Sequence, residues 1–422
     1  MRAFIVDDDQ AVAGIATELL KSSGIESEVV DLNSNILDQF RAGTFDVVLM
    51  DIMMPNIDGL ELCRQIKSDP TFGALKVVIV SGKAYEFDKR RAKQVGADGY
   101  ITKPLNPMTF ALDIRAIVES AFNVTYWGVR GTLPVPGPKS LRYGGNTSCV
   151  TMSFPNDRTL IFDAGSGIKA LSDSIMKERG GKLSAHLFIS HPHWDHINAF
   201  PFFAPFFVPG NKFEVIGAKH GDRTMEDLIS AQMDDVFFPI LVTDMGASIT
   251  FRDAGEETIT IDGDIVVETM LLSHPGNCLG YRVNFGGKSV CYVTDNELYT
   301  EDSGFQNKAY EAKLIEFVKG TDVLITDTTY FDDEYVTKIH WGHSPIGRVV
   351  EIAAAAEVKS LHLFHHDPDQ TDVDIDRKLE FARDMMSALK AETRVEAPQE
   401  GSSYSPWPKP WLFSLDRGHL HR

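Results

Sequence analysis

HLFISHPHWDH, residues 186–196, sets three histidines and an aspartate within six residues, directly after an apolar segment. Neutral imidazoles and a carboxylate crowded this closely suit zinc or a similar divalent ion. In an extended loop His191 and His193 point to the same side, while Asp195 and His196, at a turn into a helix, reach toward a neighbouring site. One short segment can therefore serve two adjacent metals. A solitary histidine is more often packed or surface-exposed than ligating. A cluster of this spacing after an apolar strand reads instead as a metal centre.

Two metals need further ligands, and the chain offers candidates at other strand ends. His274 follows VVETMLLS, Asp295 follows SVCYVT, and His365 follows SLHLF, with His366 as its adjacent competitor. From Asn123 onward Gly and Pro punctuate the chain, as in GVRGTLPVPGPKSLRYGG (128–145). Strand-like runs at 147–154, 159–162, 185–189, 265–271, 279–285, 289–293 and 322–325 alternate with helix-like runs near 167–178, 306–319, 344–356 and 372–391. The pattern predicts an α/β domain over 123–400 and an irregular extension, rich in Pro, Ser and Trp, over 401–422.

Residues 1–122 carry a different signature. AFIV (3–6), VVLM (47–50) and VVIV (77–80) read as buried strands, with helix-like segments near 10–22, 57–68, 84–95 and 105–121. Five strands and five helices fit this stretch, a doubly wound α/β domain with a five-stranded parallel sheet. Asp7 and Asp8 follow the first of these strands and Asp51 the second. In such sheets ligands bind at the carboxyl ends of the strands, and carboxylates gathered there suit Mg²⁺. Ser81 and the small Gly82 follow VVIV, and Lys103 supplies a point charge for phosphoryl oxygens.

These segments resemble known families. VDDD (6–9), DIMMPNIDG (51–59), VVIVSG (77–82) and GYITKP (99–104) resemble bacterial two-component receiver domains over residues 1–121. The resemblance implies Asp51 as the phosphoacceptor, with Asp8, assisted by Asp7 and the Met53 carbonyl, holding Mg²⁺. It also implies that Ser81 and Lys103 bind the phosphoryl oxygens and that Tyr100 is the switch residue. The partner implied is a sensor histidine kinase or a phosphotransfer protein. Residues 126–400 resemble the metallo-β-lactamase superfamily, which implies an αββα sandwich. On that resemblance His191, His193 and His274 hold one metal, Asp195, His196 and His365 the other, and Asp295 bridges them. The implied metals are two divalent ions, zinc first and manganese or iron as alternatives. Asp163 in FDAGSG matches the family's Asp-x-Gly turn, a support for the ligand loop. GVRGTLPVPGP, YGGNTSCV and HPGNCLGYR are most similar to the subgroup containing the cyclic phosphodiesterase associated with carbon–phosphorus lyase. His343 in WGHSP stands roughly where related tRNA 3′-processing enzymes carry a proton donor. Ala199 departs from the glycine that many relatives have there. His193 replaces the glutamate of the oxygen- and nitric-oxide-reducing di-iron members, so hydrolysis is implied.

Bulk properties narrow the reading further. A chain of 422 residues with 43% hydrophobic and 24% charged residues is ordinary for a multidomain globular protein. The four cysteines are scattered and the first residues enter a strand at once, which reads as a cytoplasmic protein without a secretory signal. A formal charge of −19 disfavours nucleic-acid polymers and anionic membranes as partners, while bound metals can invert the sign locally. The expected function is a phosphorylation-controlled hydrolase, most simply a phosphodiesterase on a small cyclic or linear phosphodiester, with Asp195, Asp295 and His343 as its catalytic groups. The other readings are hydrolysis of another ester or thioester, or a metal-containing signalling module without turnover. Arg282 offers a further positive charge, or a structural one. FPFFAPFFVPG (200–210) reads as core, with a pocket wall or a homodimer contact as its other uses.

Overall fold

The computed structural model describes residues 1–406 apart from 44, 56, 73–74, 84, 119–121, 155–156, 235 and 237. The end of the helix expected over 105–121 and most of the expected C-terminal extension, 407–422, therefore lie outside the described residues. The chain divides into two units, one within Met1–Ala121 and one over Phe122–Pro406. No helix among the described residues is long and apolar enough to cross a membrane.

The first unit is a five-stranded parallel sheet in the order Glu26–Val29, Arg2–Val6, Val47–Met50, Lys76–Ser81, Gly99–Thr102. Its central strands carry unbroken apolar runs, Val47–Met50 and Val77–Val80, because helices cover both faces. Helix Gln10–Ser22 begins where Asp9 accepts hydrogen bonds from the amides of Ala11 and Val12, and Gly59–Ser68 begins in the same way at Asp58. The order reverses beside Arg2–Val6, so Asp7, Asp8 and Asp51 share one crevice at the carboxyl ends of neighbouring strands.

The second unit contains two seven-stranded sheets. One runs Ser248–Ala254, Lys212–Ala218, Ser184–Phe188, Arg158–Phe162, Cys149–Phe154, Asn123–Gly128, Ser403–Tyr404. The other runs Thr258–Ile261, Ile265–Leu271, Leu279–Phe285, Lys288–Val293, Val323–Asp327, Ser360–Phe364, Arg394–Glu396. Aromatic rings bind the two faces together: Phe162 lies 5.6 Å from Tyr281 and 5.5 Å from Tyr292, and Phe188 lies 5.1 Å from Tyr281. Helix Ile168–Arg179 packs on the outer side of the first sheet, and Lys308–Val318, Ile346–Ala355 and Asp372–Ala388 on that of the second. The architecture is α/β, with the layers helix, sheet, sheet, helix.

Some segments differ from their expected structure. Ser403 and Tyr404, inside the stretch expected to be irregular, pair antiparallel with Thr125 and Val124 after a turn at Gly401. The phenylalanine-rich run splits its roles: Phe200, Phe203 and Phe206 are fully buried, while Phe202 and Phe207 reach solvent. Phe162, in the inter-sheet layer, supplies a direct test of that layer. Phe162→Ala should destabilise the protein by about 3–5 kcal/mol, because the surrounding rings cannot collapse into the void. Equilibrium denaturant unfolding measures this, and a loss below about 1 kcal/mol would contradict a tightly packed inter-sheet layer.

Candidate functional sites

In the first unit, carboxylate oxygens of Asp7, Asp8 and Asp51 lie within 4.8 Å of one another. Lys103 Nζ stands 2.7 Å from Asp51 Oδ2 and 2.8 Å from Asp7 Oδ2. Burial opposes the lysine's charge, but hydrogen bonds to Asp51 and Asp7 outweigh it and raise its pKa above the ordinary value. Asp51 Oδ1 accepts from the Ile52 amide at 2.6 Å, leaving its other oxygen to the lysine. Gly59 is required by close approach, since a Cβ there would sit 2.0 Å from the Asp51 carbonyl oxygen. Ser81 is buried beside this crevice. Tyr100 is buried too, and its hydroxyl donates to the Lys83 carbonyl at 2.7 Å.

In the second unit, the loops following four strands converge. His191 and His193 come from the loop after Ser184–Phe188, Asp195 and His196 from the short helix Trp194–Ile197 that follows it, and His274 follows Ile265–Leu271. Asp295 follows Lys288–Val293, and His365 follows Ser360–Phe364. Donor atoms of His191, His193, His274 and Asp295 lie within 4.8 Å of one another, as do those of Asp195, His196, Asp295 and His365. Asp295 belongs to both groups through different oxygens. Its Oδ1 lies 3.2 Å from His196 Nε2 and 3.1 Å from His365 Nε2, and its Oδ2 lies 3.6 Å from His191 Nε2 and 3.7 Å from His274 Nε2.

Outward hydrogen bonds orient the rings. His196 Nδ1 is 2.7 Å from Asp163 Oδ2, His274 Nδ1 2.8 Å from the Gly342 carbonyl, and His365 Nδ1 3.1 Å from Thr329 Oγ1. Each bond consumes Nδ1 and leaves Nε2 facing inward, the second-layer arrangement that fixes a ligating tautomer. Asp195 Oδ2 is held at 2.7 Å by the Thr132 amide. Nε2 of both His191 and His196 is buried and makes no hydrogen bond. Unsatisfied buried nitrogens converging on carboxylates are costly unless a cation fills the space between them, so the donor set fits divalent metal.

Two strained backbones serve this centre. Asp163 and His365 adopt φ of 60° and 58°, a left-handed conformation that non-glycine residues take at a cost and that collects at functional sites. Gly131 and Gly342 leave room for imidazole rings, since a Cβ at either would come within 2.4 Å of His365 or His274. That proximity explains glycine in GVRGT and WGHSP. His366 is fully buried, and neither ring nitrogen has a hydrogen bond. It stands outside both donor groups, whereas His365 joins the second.

Residues 3–115 match the response regulator receiver domain, and residues 158–366 match the beta-lactamase superfamily domain. The chain joins a receiver domain to a beta-lactamase superfamily domain. The transcriptional regulatory protein CreB of Escherichia coli (strain K12) is 30% identical over 116 residues, which cover 28% of this chain and 50% of that protein. The chain spans about half the length of the curated relatives it matches first. Among solved structures, the metallo-beta-lactamase fold protein YhfI from Bacillus subtilis aligns with a TM-score of 0.49 and 20% identity, over 67% of this chain and 98% of that one. A diphosphatase from the PhnP family aligns with a TM-score of 0.47 and 17% identity, over 67% and 97%.

The beta-lactamase superfamily domain also contains groups that the sequence reading did not single out. Asp327, fully buried at the end of Val323–Asp327, binds His343 Nδ1 at 2.8 Å. Burial disfavours charge on His343, yet the Asp327 and Asp295 carboxylates overcome this and raise it to about 9. Glu297, almost fully buried, accepts from the His340 and Gly342 amides at 2.7 and 2.9 Å and so fixes the loop before His343. The signal for Asp327 was available, as a carboxylate closing an apolar strand like Asp51 and Asp295. Arg282 takes the structural one of the two roles its sequence position offers. Its guanidinium donates to the Phe317 and Lys319 carbonyls, at the end of helix Lys308–Val318, so it serves as a structural cap and not as site charge. Asp163 accepts from the Ser190 amide and hydroxyl and from the Tyr292 hydroxyl, besides binding His196. Asp163→Asn should therefore weaken metal binding about 10- to 100-fold with the fold retained, measured by competition with a chromogenic chelator. Unchanged affinity would show that the carboxylate does not tune the centre.

Proposed function

We propose that this chain is a phosphorylation-controlled response regulator whose output is a dinuclear metal-dependent phosphodiesterase acting on a small cyclic or linear phosphodiester. The observation that carries the metal reading is Asp295, one buried carboxylate whose two oxygens face two separate groups of imidazoles. His191, His193 and His274 would hold one ion and Asp195, His196 and His365 the other, with Asp295 between them. Zinc is the first expectation, and manganese or iron the alternatives. Divalent ions bound there supply a water of lowered pKa and neutralise phosphoryl oxygens.

The protein's own groups account for the remaining steps. Asp195, held by the Thr132 amide, and Asp295 orient the attacking water in line with the ester bond. His343 keeps Nδ1 on Asp327, so Nε2 is the nitrogen left to donate a proton to the departing alkoxide. A phosphodiester uses both features, because it needs its charge neutralised and its leaving group protonated. A carboxylic ester carries no phosphoryl charge to neutralise, and a thioester leaves as a thiolate with little need of a proton, so each uses one feature less.

In the receiver domain Asp51 is the proposed phosphoacceptor. Asp7, Asp8 and the Met53 carbonyl would hold Mg²⁺, Ser81 and Lys103 would bind the phosphoryl oxygens, and Tyr100 would act as the switch residue. Lys103 already bridges Asp51 and Asp7, so arrival of a phosphoryl group exchanges one anion for another at a fixed cation. The proposed donor is a sensor histidine kinase or a phosphotransfer protein.

Two measurements test this reading. Zinc- or manganese-loaded protein should hydrolyse bis(p-nitrophenyl) phosphate, and His193→Ala should lower kcat/KM at least about 100-fold by removing a ligand. Loaded protein with two ions per chain and no turnover on any phosphodiester would reject the phosphodiesterase. Beryllofluoride with Mg²⁺ should change turnover or oligomeric state by roughly 5- to 150-fold, the usual scale of coupling between sites, and Asp51→Asn should abolish the change. Identical kinetics and oligomeric state with and without beryllofluoride would reject control by phosphorylation.

A further inference from the structure

Five tryptophans occur in the chain, and three fall among the described residues. Trp127 is partly buried and donates Nε1 to Thr151 Oγ1 at 3.0 Å. The other two are exposed, Trp194 by 83% and Trp341 by 58%. A sequence neighbour of each contacts His274. Trp194 follows His193, whose Nδ1 lies 3.2 Å from His274 Nε2. Trp341 precedes Gly342, whose carbonyl lies 2.8 Å from His274 Nδ1.

Scattered exposed apolar residues are ordinary and mean little singly. These two are set apart by how they are held. Glu297 accepts from the amides on either side of Trp341, those of His340 and Gly342, and its Oε1 also accepts from the Tyr335 hydroxyl at 2.7 Å. His340 itself takes a φ of 71°, a conformation kept only where the surroundings enforce it. The Lys338 ammonium stands 4.0 Å from the centroid of the Trp341 ring. A large ring on a clamped backbone, more than half exposed and backed by a cation, is a preorganised stacking surface and not core filling. Trp194 sits at the first turn of a short helix whose next two residues, Asp195 and His196, belong to the donor set, so its backbone is tied to the centre as well.

We infer that Trp194 and Trp341 form an aromatic rim that recognises a planar, nucleobase-like group on the phosphoester bound at the metal centre. This rests on the phosphodiesterase reading and gives it a substrate class. Stacking tolerates any base, since each presents a π-face. The rim therefore selects for an aromatic substituent without selecting its sequence identity. Trp341 stands two residues before His343, so the proposed stacking surface and the group assigned to protonate the leaving alkoxide share one loop.

The test is equilibrium binding to zinc-loaded full-length protein of adenosine 5′-monophosphate, phenyl phosphate and ribose 5-phosphate, by calorimetry and tryptophan fluorescence. The nucleotide should bind about tenfold or more tightly than ribose 5-phosphate, with quenching. Trp194→Ala/Trp341→Ala should erase the preference, and Trp194→Phe/Trp341→Phe should restore much of it. Phenyl phosphate matching the nucleotide supports recognition of any aryl group, and ribose 5-phosphate matching it overturns the inference. A preference unchanged in the double alanine variant also overturns it, as does binding by none of the three, or a change in oligomeric state with no change in preference. Turnover of bis(p-nitrophenyl) phosphate reports separately on the hydrolase, so an active enzyme indifferent to the base refutes the rim alone.

Discussion

Asp295 is the constraint around which the second domain is arranged. Its carboxylate is buried with three others, Asp163, Asp195 and Asp327, in a space shared with the imidazoles of His191, His196 and His365. Removing that much negative charge from water is unfavourable unless positive charge accompanies it. The protein supplies part of the compensation by hydrogen bonds, to Asp163 from Ser190 and Tyr292 and to Asp327 from Thr329 and the Asn296 amide. The remainder falls between the two oxygens of Asp295 and the inward nitrogens, where divalent cations would complete the balance. The outer bonds and the inner space are thus one electrostatic design, and changing either unbalances the other.

Both domains use the same device to gather charge. A buried strand ends, and a polar residue at its last position or within three residues beyond it projects into a shared crevice. Asp7, Asp51 and Ser81 do this in the receiver domain, and His274, Asp295, Asp327 and His365 do it in the beta-lactamase superfamily domain. This is why so much of the two sites was legible in the sequence. An apolar run of four or five residues followed at once by Asp or His stands out without any alignment, and the run also fixes which end of the strand the residue occupies. The same logic separates His365 from His366. The residue directly after the strand faces the centre, and its neighbour turns into the protein, where burial, and then the charges of Lys378 and Arg130, hold its imidazole well below the usual range.

What the sequence concealed has equally physical causes. Glu26–Val29 is an edge strand with mostly exposed side chains, and ESEV carries neither the apolar run of a central strand nor clear alternation. Ser248–Ala254 and Thr258–Ile261 are also edge strands, supported on one side only. Asn123–Gly128 gains its pairing from Cys149–Phe154 and from Ser403–Tyr404, so its strand character depends on residues far away in the chain. Glu297 was hidden for a different reason. Its importance lies in accepting two backbone amides from a loop more than forty residues distant, and nothing in the local pattern DNELY distinguishes it from a surface carboxylate.

The strained positions complete the account of how rigidity is distributed. Asp163 and His365 hold left-handed backbones beside the metal centre, and His340 does so in the loop fixed by Glu297. Such conformations persist only where neighbouring contacts over-determine them. At Asp163 those contacts come from Ser190, Tyr292 and His196, and at His365 from Thr329, which binds both its ring and its carbonyl. The network that aims the ligands is therefore also the one that keeps the strained backbone in place. A divalent ion entering the centre would meet imidazoles already turned toward it, so little of its binding energy would be consumed in ordering them. Preorganisation of this kind costs stability in the unliganded protein and would be recovered on binding of ions, which would make metal loading and folding of this domain a linked equilibrium.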